Sequence, residues 1–497
     1  MLNSVAGRDS DAGFWEWERD REGPFRWTRP RFALAAPAAP GPGRFVCLEL
    51  ASPLQGNSLT VQAGGKRSHL HLLQGWQVVD LRLTDATSVE FEVGLAFQAP
   101  DDTRALGLMI REVTFHDDPE LHEIRRRRHA NALLNSAEFA EGREQLASFP
   151  THLRITMSKR CNIANEKPCV YCSWDWAKRM ERGSPTFTPK FLSDMGQFMD
   201  LALAVNDCSY GEPPLEASFG EVVNMATQAG RTFEFTSNGQ TLSKKKRDLL
   251  LGRPARVHVS VDAATAAGYN RYRDHRFELV VKNLRALCSE RAAFGGLPEV
   301  FVSFIVMRSN RGEISDFLRL MKDVGVDRVT FRTLYVEDRL DTRRLVHHGW
   351  QFDYDAECLD ADELSPIGEA CLAEGLANDM AVSIEWDEFA RNSGPAHDGT
   401  PICSEPWKTA YLLDRGIMPC CYGREAMIPW QDIDESQLES SLHAAFNSQP
   451  MVELRRDLSQ GRLGKYCDRA QGCPIVKQMA KRPATQTSPP SRNRRRA

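Results

Sequence analysis

Three cysteines stand within twelve residues of this 497-residue chain, at Cys161, Cys169 and Cys172, in the spacing C-x7-C-x2-C. Thiolates bind zinc and iron–sulfur clusters, and pairs of thiols form disulfides. A tetrahedral zinc site needs a fourth ligand nearby, and a disulfide framework needs an even number of cysteines. Three thiolates can hold three irons of a [4Fe–4S] cluster and leave the fourth iron open. The spacing therefore predicts such a cluster, with a zinc or structural site as the alternative.

The composition indicates a globular protein of more than one domain. Apolar residues make up 42% and charged residues 26% of the chain, and its length exceeds what one core normally holds. The net charge of −4 argues against a nucleic-acid partner, since a general nucleic-acid binder would be basic. We find no secretory signal pattern and no run of eighteen apolar residues, so we expect a cytoplasmic protein without a membrane span. In that compartment the cysteines are expected to be metal ligands or free thiols.

Short alternating runs dominate the first 118 residues. Strand patterns separated by Gly, Pro, Asn and Asp turns occur at 44–51, 58–63, 76–83, 88–97 and 106–115. Several strands at such close spacing predict an antiparallel β-sandwich over residues 1–118. The charged, helical pattern at 119–150 predicts a connector to the next domain.

Strands and helices alternate from residue 151 to residue 345. Six strand patterns, most of them separated by helical patterns, lie at 152–157, 203–210, 232–238, 257–263, 300–307 and 328–335. Repeated βα units predict parallel strands with right-handed crossovers, in either a partial barrel or an open sheet. Residues 346–398 are interpreted as a bridge, and 399–478 hold five further cysteines. The polar, basic tail 479–497 is expected to be disordered.

The segment from Cys161 to Cys172 resembles the cluster loop of the radical S-adenosylmethionine (radical SAM) superfamily, whose usual pattern is C-x3-C-x2-C with an aromatic residue before the last cysteine. Tyr171 occupies the aromatic position, and four extra residues separate the first two cysteines. Because loop-closure entropy grows only with the logarithm of length, the longer loop can still close on a cluster. The resemblance implies an α/β fold: a partial (β/α)6 TIM-like barrel between the N-terminal antiparallel β-sandwich and a small C-terminal iron–sulfur domain.

Further motifs of the superfamily follow successive predicted strands in the expected order. SYGEPPL resembles its GEP motif, TSNG its TTNG motif, and SVDAATAAGYNRYR its S-x-D pattern. The resemblance implies that Glu212 or nearby backbone carbonyls meet the amino group of SAM, that Ser260 contacts its ribose or carboxylate, and that Arg273 contacts its carboxylate. The full set of predicted SAM-binding residues is Tyr171, Gly211, Glu212, Pro213, Ser237, Asn238, Ser260, Asp262, Arg273 and Ser303.

A second group of cysteines lies near the carboxyl end. Cys403 and Cys421 flank Gly416 in the spacing C-x12-G-x4-C, which resembles the opening of the SPASM/twitch extension that follows many radical SAM barrels. With Cys467 and Cys473 they imply one auxiliary [4Fe–4S] cluster, which makes two clusters in all. Cys420 is an alternative ligand, although the glycine offset favours Cys421. A zinc ribbon is the alternative kind of site.

Cys208 follows the second predicted barrel strand and is not needed as a ligand. Its weak S–H bond would suit the return of a hydrogen atom to a substrate radical, and the alternative interpretation is a buried thiol of the core. The thiols interpreted as core residues are Cys47, Cys288, Cys358 and Cys371.

The first part of the chain also resembles the small β-sandwich found beside glycosyltransferases and methyltransferases of surface-polysaccharide clusters. GFWEWERDREGPFRWTRPRFAL and DDTRALGLMIREVTF carry this resemblance, which implies carbohydrate binding. Trp15, Trp17 and Trp27 could stack on sugar rings, and packing within the sandwich is the alternative.

Taken with the superfamily, these motifs imply an enzyme. SAM binds the open iron, one electron arrives from a flavodoxin- or ferredoxin-type donor, and a 5′-deoxyadenosyl radical removes a hydrogen atom from the substrate. The first hypothesis is oxidation or epimerisation of a sugar or related small molecule. The second is modification of a ribosomally made peptide. The non-enzyme alternative is a cluster- or zinc-bearing binding protein.

Overall fold

The computed structural model describes residues 13–20, 23–35, 44–83, 88–100, 102–163, 169–172, 187–334, 344–347, 349–386, 401–420, 422–423, 426–467, 473, 475–476 and 479. The predicted ligand Cys421, the side chain of Trp17 and residues 480–497 of the tail lie outside this description. Within the described ranges, no helix is long and apolar enough to cross a membrane.

Two antiparallel sheets form the amino-terminal part. Their strands are β1 Phe14–Asp20, β2 Gly23–Thr28, β3 Arg31–Ala35, β4 Arg44–Ser52, β5 Ser58–Ala63, β6 Lys66–His71, β7 Gly75–Leu83, β8 Ser88–Val93 and β9 Met109–His116. One sheet has the order β1-β2-β9-β4-β7 and the other β3-β8-β5-β6. Alternating apolar side chains of both sheets, among them Val46, Leu48, Val61 and Phe91, share one core. This is the β-sandwich that the sequence predicted.

The remaining strands form a ten-stranded sheet and a two-stranded ribbon. They are β10 His152–Ile155, β11 Ala204–Asp207, β12 Thr232–Ser237, β13 Ala255–Ser260, β14 Glu299–Val306, β15 Arg328–Thr333, β16 Arg344–His347, β17 Trp350–Asp353, β18 Ala381–Glu385, β19 Thr409–Leu413, β20 Gly416–Met418 and β21 Ile428–Pro429. The large sheet has the order β18-β15-β14-β13-β12-β11-β10-β19-β20-β21, and β16 pairs with β17.

The six strands predicted for the barrel are adjacent and parallel in this sheet. The structure adds a parallel strand at each side, because β18 pairs with β15 and β19 pairs with β10. β18 falls in the predicted bridge and β19 in the predicted C-terminal iron–sulfur domain. Both segments therefore share the barrel sheet, and the boundaries at 345 and 398 stay a proposal about folding units.

Helices connect and cover the strands. They are α1 Pro119–Ala140, α2 Pro189–Asp194, α3 Gln197–Leu201, α4 Phe219–Ala226, α5 Lys244–Asp248, α6 Ala266–Tyr272, α7 Phe277–Glu290, α8 Ile314–Val324, α9 Tyr354–Glu357, α10 Ala361–Ala377, α11 Glu405–Lys408, α12 Leu438–Phe446 and α13 Gln449–Ser459. In α8 the buried Ile314, Phe317, Leu318 and Met321 recur at helical spacing and pack into the barrel core. Gly325 ends that helix with φ 85°, a left-handed conformation that glycine adopts without strain.

Side chains alternate along the barrel strands and divide the sheet into two faces. In β13, Val257 and Val259 are buried in the core that the helices cover, whereas Arg256, His258 and Ser260 point the other way. We call this second side the inner face. On β13 its side chains are polar.

The sandwich is attached to one edge of the barrel through α1. Asp118 begins this helix by accepting hydrogen bonds from the backbone amides of Glu120 and Leu121. Arg128 of α1 donates to the carbonyl oxygens of Asp200 and Ala229, each at 2.9 Å. Asp200 and Ala229 precede β11 and β12, so the sandwich lies at the amino-terminal edge of the parallel strands.

Candidate functional site

The predicted site residues lie at the opposite edge, where the parallel strands end. Loops after β10, β11, β12 and β13 carry Cys161, Gly211, Asn238 and Asp262, respectively. In parallel α/β folds this edge gathers functional side chains because several strand ends meet there.

The three predicted cluster thiols are neighbours at this edge. Burial raises the pKa of Cys169 to about 12, while the charge of Arg273 lowers it and Cys172 and Cys161 raise it further. Two N–H donors face the sulfurs: Arg273 Nη1 is 3.8 Å from Cys169 Sγ, and Asn238 Nδ2 is 3.9 Å from Cys161 Sγ. The described residues contain no three His, Cys, Asp or Glu side chains already close enough to hold a metal ion.

The donor chemistry nevertheless fits an iron–sulfur cluster. Three thiols come from one loop, and the nitrogen donors beside them would stabilise negatively charged sulfur. The buried Cys169 thiol, whose pKa is raised, would release its proton when a metal binds. Cys161, Cys169 and Cys172 are therefore the residues that would hold the cluster, and closing on it requires the loop to draw the three thiols together.

Asp262 joins three segments below this loop. Its Oδ2 accepts hydrogen bonds from Tyr171 OH and from Nε and Nη2 of Arg273, with Nε at 2.9 Å. Its Oδ1 accepts from the backbone amide of Ile305 at 2.7 Å. Tyr171, Asp262 and Arg273 were predicted to contact SAM. Asp262 also holds the other two side chains beside Cys169, and their contact with SAM stays a prediction.

The GEP segment packs directly on the backbone before Cys161. A Cβ added to Gly211 would lie 2.6 Å from the carbonyl oxygen of Arg160 and 2.7 Å from that of Ser158, so only glycine fits without displacement. Pro213 begins a short 3₁₀ helix and is buried. The glycine of the motif is explained by this close approach.

Glu212 is bound internally. Its carboxylate accepts from Ser237 Oγ at 2.6 Å, from the Asn238 amide at 2.8 Å and from Thr241 Oγ1. Burial raises the pKa of Glu212, and these hydrogen bonds oppose that rise. The predicted role of Ser237 and Asn238 toward SAM is thus accompanied by a structural one. Which of the two options, Glu212 or the backbone carbonyls, meets the SAM amino group stays a prediction.

Asp207 and Ser209 are site residues that the sequence analysis missed. Asp207 Oδ1 accepts from the Met157 amide at 2.8 Å and from Ser209 Oγ at 2.5 Å. Ser209 Oγ also lies 2.7 Å from the Ser158 amide. The pair therefore holds the backbone that leads into the cluster loop. Its signal was available, since Asp207 and Ser209 are polar residues at the end of a buried strand.

Cys208 lies on the inner face of the sheet. Arg154 Nη1 is 4.0 Å from its sulfur, and Cys208 is absent from the buried apolar core that contains Cys371. Ser260 and Ser303 are direct partners on β13 and β14, and they lie on the same face. The structure thus gathers Cys208, Ser260 and Ser303 on one polar surface below the cluster loop.

The inner face carries an ionic network. Glu234 Oε1 lies 3.0 Å from Arg256 Nη1, and Arg256 Nε lies 2.5 Å from Glu299 Oε2. Burial alone would raise the pKa of Glu234, but the nearby His258, whose Nε2 lies 3.8 Å from Glu234 Oε2, and the charge of Arg256 lower it to about 2. The network lies toward the amino-terminal ends of the strands, because Glu299 begins β14, whereas Ser260 ends β13 at the edge of the cluster loop.

The carboxyl-terminal cysteines line one apolar cavity. Its sulfur-bearing residues are Cys403, Cys420, Cys467 and Cys473. Burial raises the pKa of Cys403 to about 12, and Cys420 and Cys473 act on it electrostatically. The sequence preferred Cys421 to Cys420. The structure brings Cys420 to the other three thiols, and Cys421 lies outside the described residues.

The Pro406–Trp407 pair positions this cavity. Arg455 of α13 is fully buried and donates to the Pro406 carbonyl oxygen at 2.8 Å, and Trp407 Nε1 donates to the Arg143 carbonyl oxygen at 2.8 Å.

Two described tryptophans of the sandwich pack within the sandwich: Arg29 lies over the ring of Trp15, and Trp27 packs against Phe97. Carbohydrate binding by the sandwich stays a prediction.

Curated proteins similar to this chain are named probable GTP 3′,8-cyclases. One from Methanococcus aeolicus is 22% identical over 276 residues, which are 54% of this chain and 84% of that protein. One from Saccharolobus islandicus is 26% identical over 183 residues, 36% of this chain and 54% of that protein. The chain thus spans only about half the length of the Saccharolobus relative.

Among solved structures, Streptococcus suis SuiB bound to the precursor peptide SuiA has a TM-score of 0.48 and 15% identity, over 70% of this chain and 74% of that chain. A likeness at this level supports no conclusion about function. No family model matches the chain.

Proposed function

We propose that this chain, a member of the radical SAM superfamily whose curated relatives are named probable GTP 3′,8-cyclases, removes a hydrogen atom from a polar small molecule bound at the inner face of its barrel. The observation that carries this proposal is the joint position of the cysteine loop and the inner face. Cys161, Cys169 and Cys172 lie at the edge where Cys208, Ser260 and Ser303 end the polar surface.

A bound [4Fe–4S] cluster with SAM supplies reductive cleavage of the sulfonium and hence the 5′-deoxyadenosyl radical. The residues of this chain bind the cluster and orient the loop that carries it. The three cysteines hold the cluster, while Asp262, through Arg273 and Tyr171, fixes one side of the loop. Glu212 fixes the Ser237–Asn238 segment on the other side.

For the substrate, we propose a sugar or a related polar metabolite, which is then oxidised or epimerised. The polar groups at the cluster edge of the inner face, on Cys208, Ser260 and Ser303, support a ligand with hydrogen-bonding groups. Modification of a ribosomally made peptide is the rival, and the four-cysteine cavity is the observation in its favour, because SPASM-type peptide maturases carry auxiliary clusters.

The test uses the reconstituted full chain under anaerobic conditions. With SAM and dithionite, the wild type should form 5′-deoxyadenosine, and the variant Cys161→Ala/Cys169→Ala/Cys172→Ala should lose about four irons per chain and form none. Formation of 5′-deoxyadenosine by the triple variant would refute the proposal. A visible spectrum with iron and sulfide counts separates the enzyme from a zinc-bearing binding protein, which would contain neither cluster iron nor inorganic sulfide.

A further inference from the structure

The proposed reaction, on which this inference rests, consumes an electron that the chain must receive from outside. The relevant surface is therefore the one that lies over the cluster loop. Arg160 directly precedes Cys161, and its side chain is 68% exposed. Its neighbours show what can approach the cluster from solvent.

Two large apolar side chains are exposed beside the GEP segment. Tyr210 is 55% exposed and Leu215 is 37% exposed, on either side of Gly211, Glu212 and Pro213. Arg160 Nη2 lies 3.5 Å from the Leu215 carbonyl oxygen, so this apolar pair adjoins the residue before Cys161. Exposed apolar side chains rimmed by charge are typical of protein interaction sites.

Cations lie beside Leu215 and the adjoining Glu216. Arg160 Nη2 lies 3.1 Å from Glu216 Oε2, and Lys246 Nζ lies 3.3 Å from the Glu216 carbonyl oxygen, so Arg160 and α5 belong to one surface. Lys244 and Lys245 are exposed on the same short helix. Burial, followed by the charge of Lys245, lowers the pKa of Lys246, as expected where cations crowd together.

The sign of this surface differs from that of the whole chain. Four cations, Arg160 and Lys244 to Lys246, stand against the carboxylates of Glu216 and Asp248, whereas the chain carries a net charge of −4. A local excess of positive charge attracts an acidic partner and speeds its encounter.

We propose that Tyr210, Leu215, Arg160, Lys244, Lys245 and Lys246 form the docking surface for an acidic one-electron donor protein of flavodoxin or ferredoxin type. The lysines steer the donor, and the apolar pair is covered when it docks. The donor loses one electron and the cluster gains it, beside its ligand Cys161. No proton or group is transferred in this step.

The test compares two electron sources for the same reaction. The variant Lys244→Glu/Lys245→Glu is matched by Lys66→Glu/Lys282→Glu, which changes two exposed lysines on β6 and α7 by the same total charge. Formation of 5′-deoxyadenosine is measured with reduced flavodoxin below saturation and, separately, with dithionite, in about 0.1 M and about 1 M salt, where the Debye lengths are about 10 and 3 Å.

With flavodoxin at low salt, the patch variant should lose roughly tenfold or more of the wild-type rate, and the loss should shrink at high salt. Its dithionite rate should stay within about twofold of the wild type, and the matched variant should keep both rates. Equal losses with both reductants, or equal losses in the matched variant, would overturn the docking proposal. A wild type that forms 5′-deoxyadenosine neither with flavodoxin nor with dithionite would instead overturn the proposed function.

Discussion

The guanidinium of Arg273 donates two hydrogen bonds to a single carboxylate oxygen of Asp262, and both side chains are almost fully buried, at 7% and 0% exposure. Asp262 adopts φ 65°, a left-handed conformation. The pair links the end of β13 to the loop of Cys169, since Arg273 Nη1 also faces that sulfur. A pair predicted to bind SAM thus also supports the cluster loop.

Replacing Asp262 by Asn should therefore destabilise the protein. Asn accepts the left-handed backbone, but it leaves the buried Arg273 cation without a carboxylate, which costs about 3–5 kcal/mol. Urea unfolding and iron content per chain are the measurements. Asp323→Asn is the matched control, because the Asp323–Arg285 pair is 68% and 52% exposed and should contribute less than about 1 kcal/mol. Equal losses of stability in the Asp262 and Asp323 variants would contradict a special role of the buried pair.

Gly211→Ala should disturb the cluster loop. The added Cβ would meet the carbonyl oxygens of Arg160 and Ser158 at 2.6 and 2.7 Å, and backbone atoms cannot move aside without shifting Cys161. We expect a loss of about 1–3 kcal/mol in stability and a lower iron content. Gly312→Ala is the control, because nothing lies within 4 Å of its added Cβ. Full iron in the Gly211 variant would show that the close approach is dispensable.

Asp207 should make stability depend on pH. Burial raises its pKa from 3.8 to about 6, although hydrogen bonds from Ser209 and Met157 lower it in part. The unfolded chain therefore loses this proton at lower pH than the folded one, so stability falls as pH rises from about 4 to 6. The difference between the two pKa values corresponds to about 3 kcal/mol in the free energy of unfolding.

Asp207→Asn removes this titration. Urea unfolding at several pH values between 4 and 7 should show a smaller decline for the variant than for the wild type. The same decline in both proteins would assign the pH dependence to other groups.

Cys420 and Cys421 offer a matched pair of variants for the auxiliary site. On the background lacking Cys161, Cys169 and Cys172, Cys420→Ala should lose most of the remaining iron, because Cys420 lines the cavity with Cys403, Cys467 and Cys473. Cys421→Ala should keep it. Iron and sulfide counts with the visible spectrum decide between them. If Cys421→Ala lost the iron and Cys420→Ala kept it, Cys421 would be the ligand, as the glycine offset favours.

Cys208 distinguishes the two fates of a substrate radical. If it returns a hydrogen atom, Cys208→Ala should still cleave SAM but stall before product, and wild-type product formed in deuterated water should carry deuterium. Its position on the inner face, 4.0 Å from Arg154, is compatible with contact to substrate. Normal turnover by the variant, or product without deuterium, would favour oxidation through the auxiliary cluster.

Much of the barrel could be predicted because its signals are local. The alternation in 255–260 and the helical spacing in 314–324 each lie within one element, and the residues after the strand ends mark the edge where motifs meet. Local patterning failed for β6, Lys66–His71, whose side chains are mostly exposed. An edge strand of this kind buries too little apolar surface to leave an alternating pattern.

The sequence by itself determined the three thiols, the order of the motifs and the parallel strands, since each depends on residues close together in the chain. Only the tertiary structure decided that β19 pairs with β10, that Cys420 joins Cys403, and that Asp262 holds Tyr171 and Arg273. It also put the sandwich at the edge away from the cysteine loop. Such contacts join segments far apart in the chain, and they form only where packing of the whole core outweighs the entropy of closing long loops.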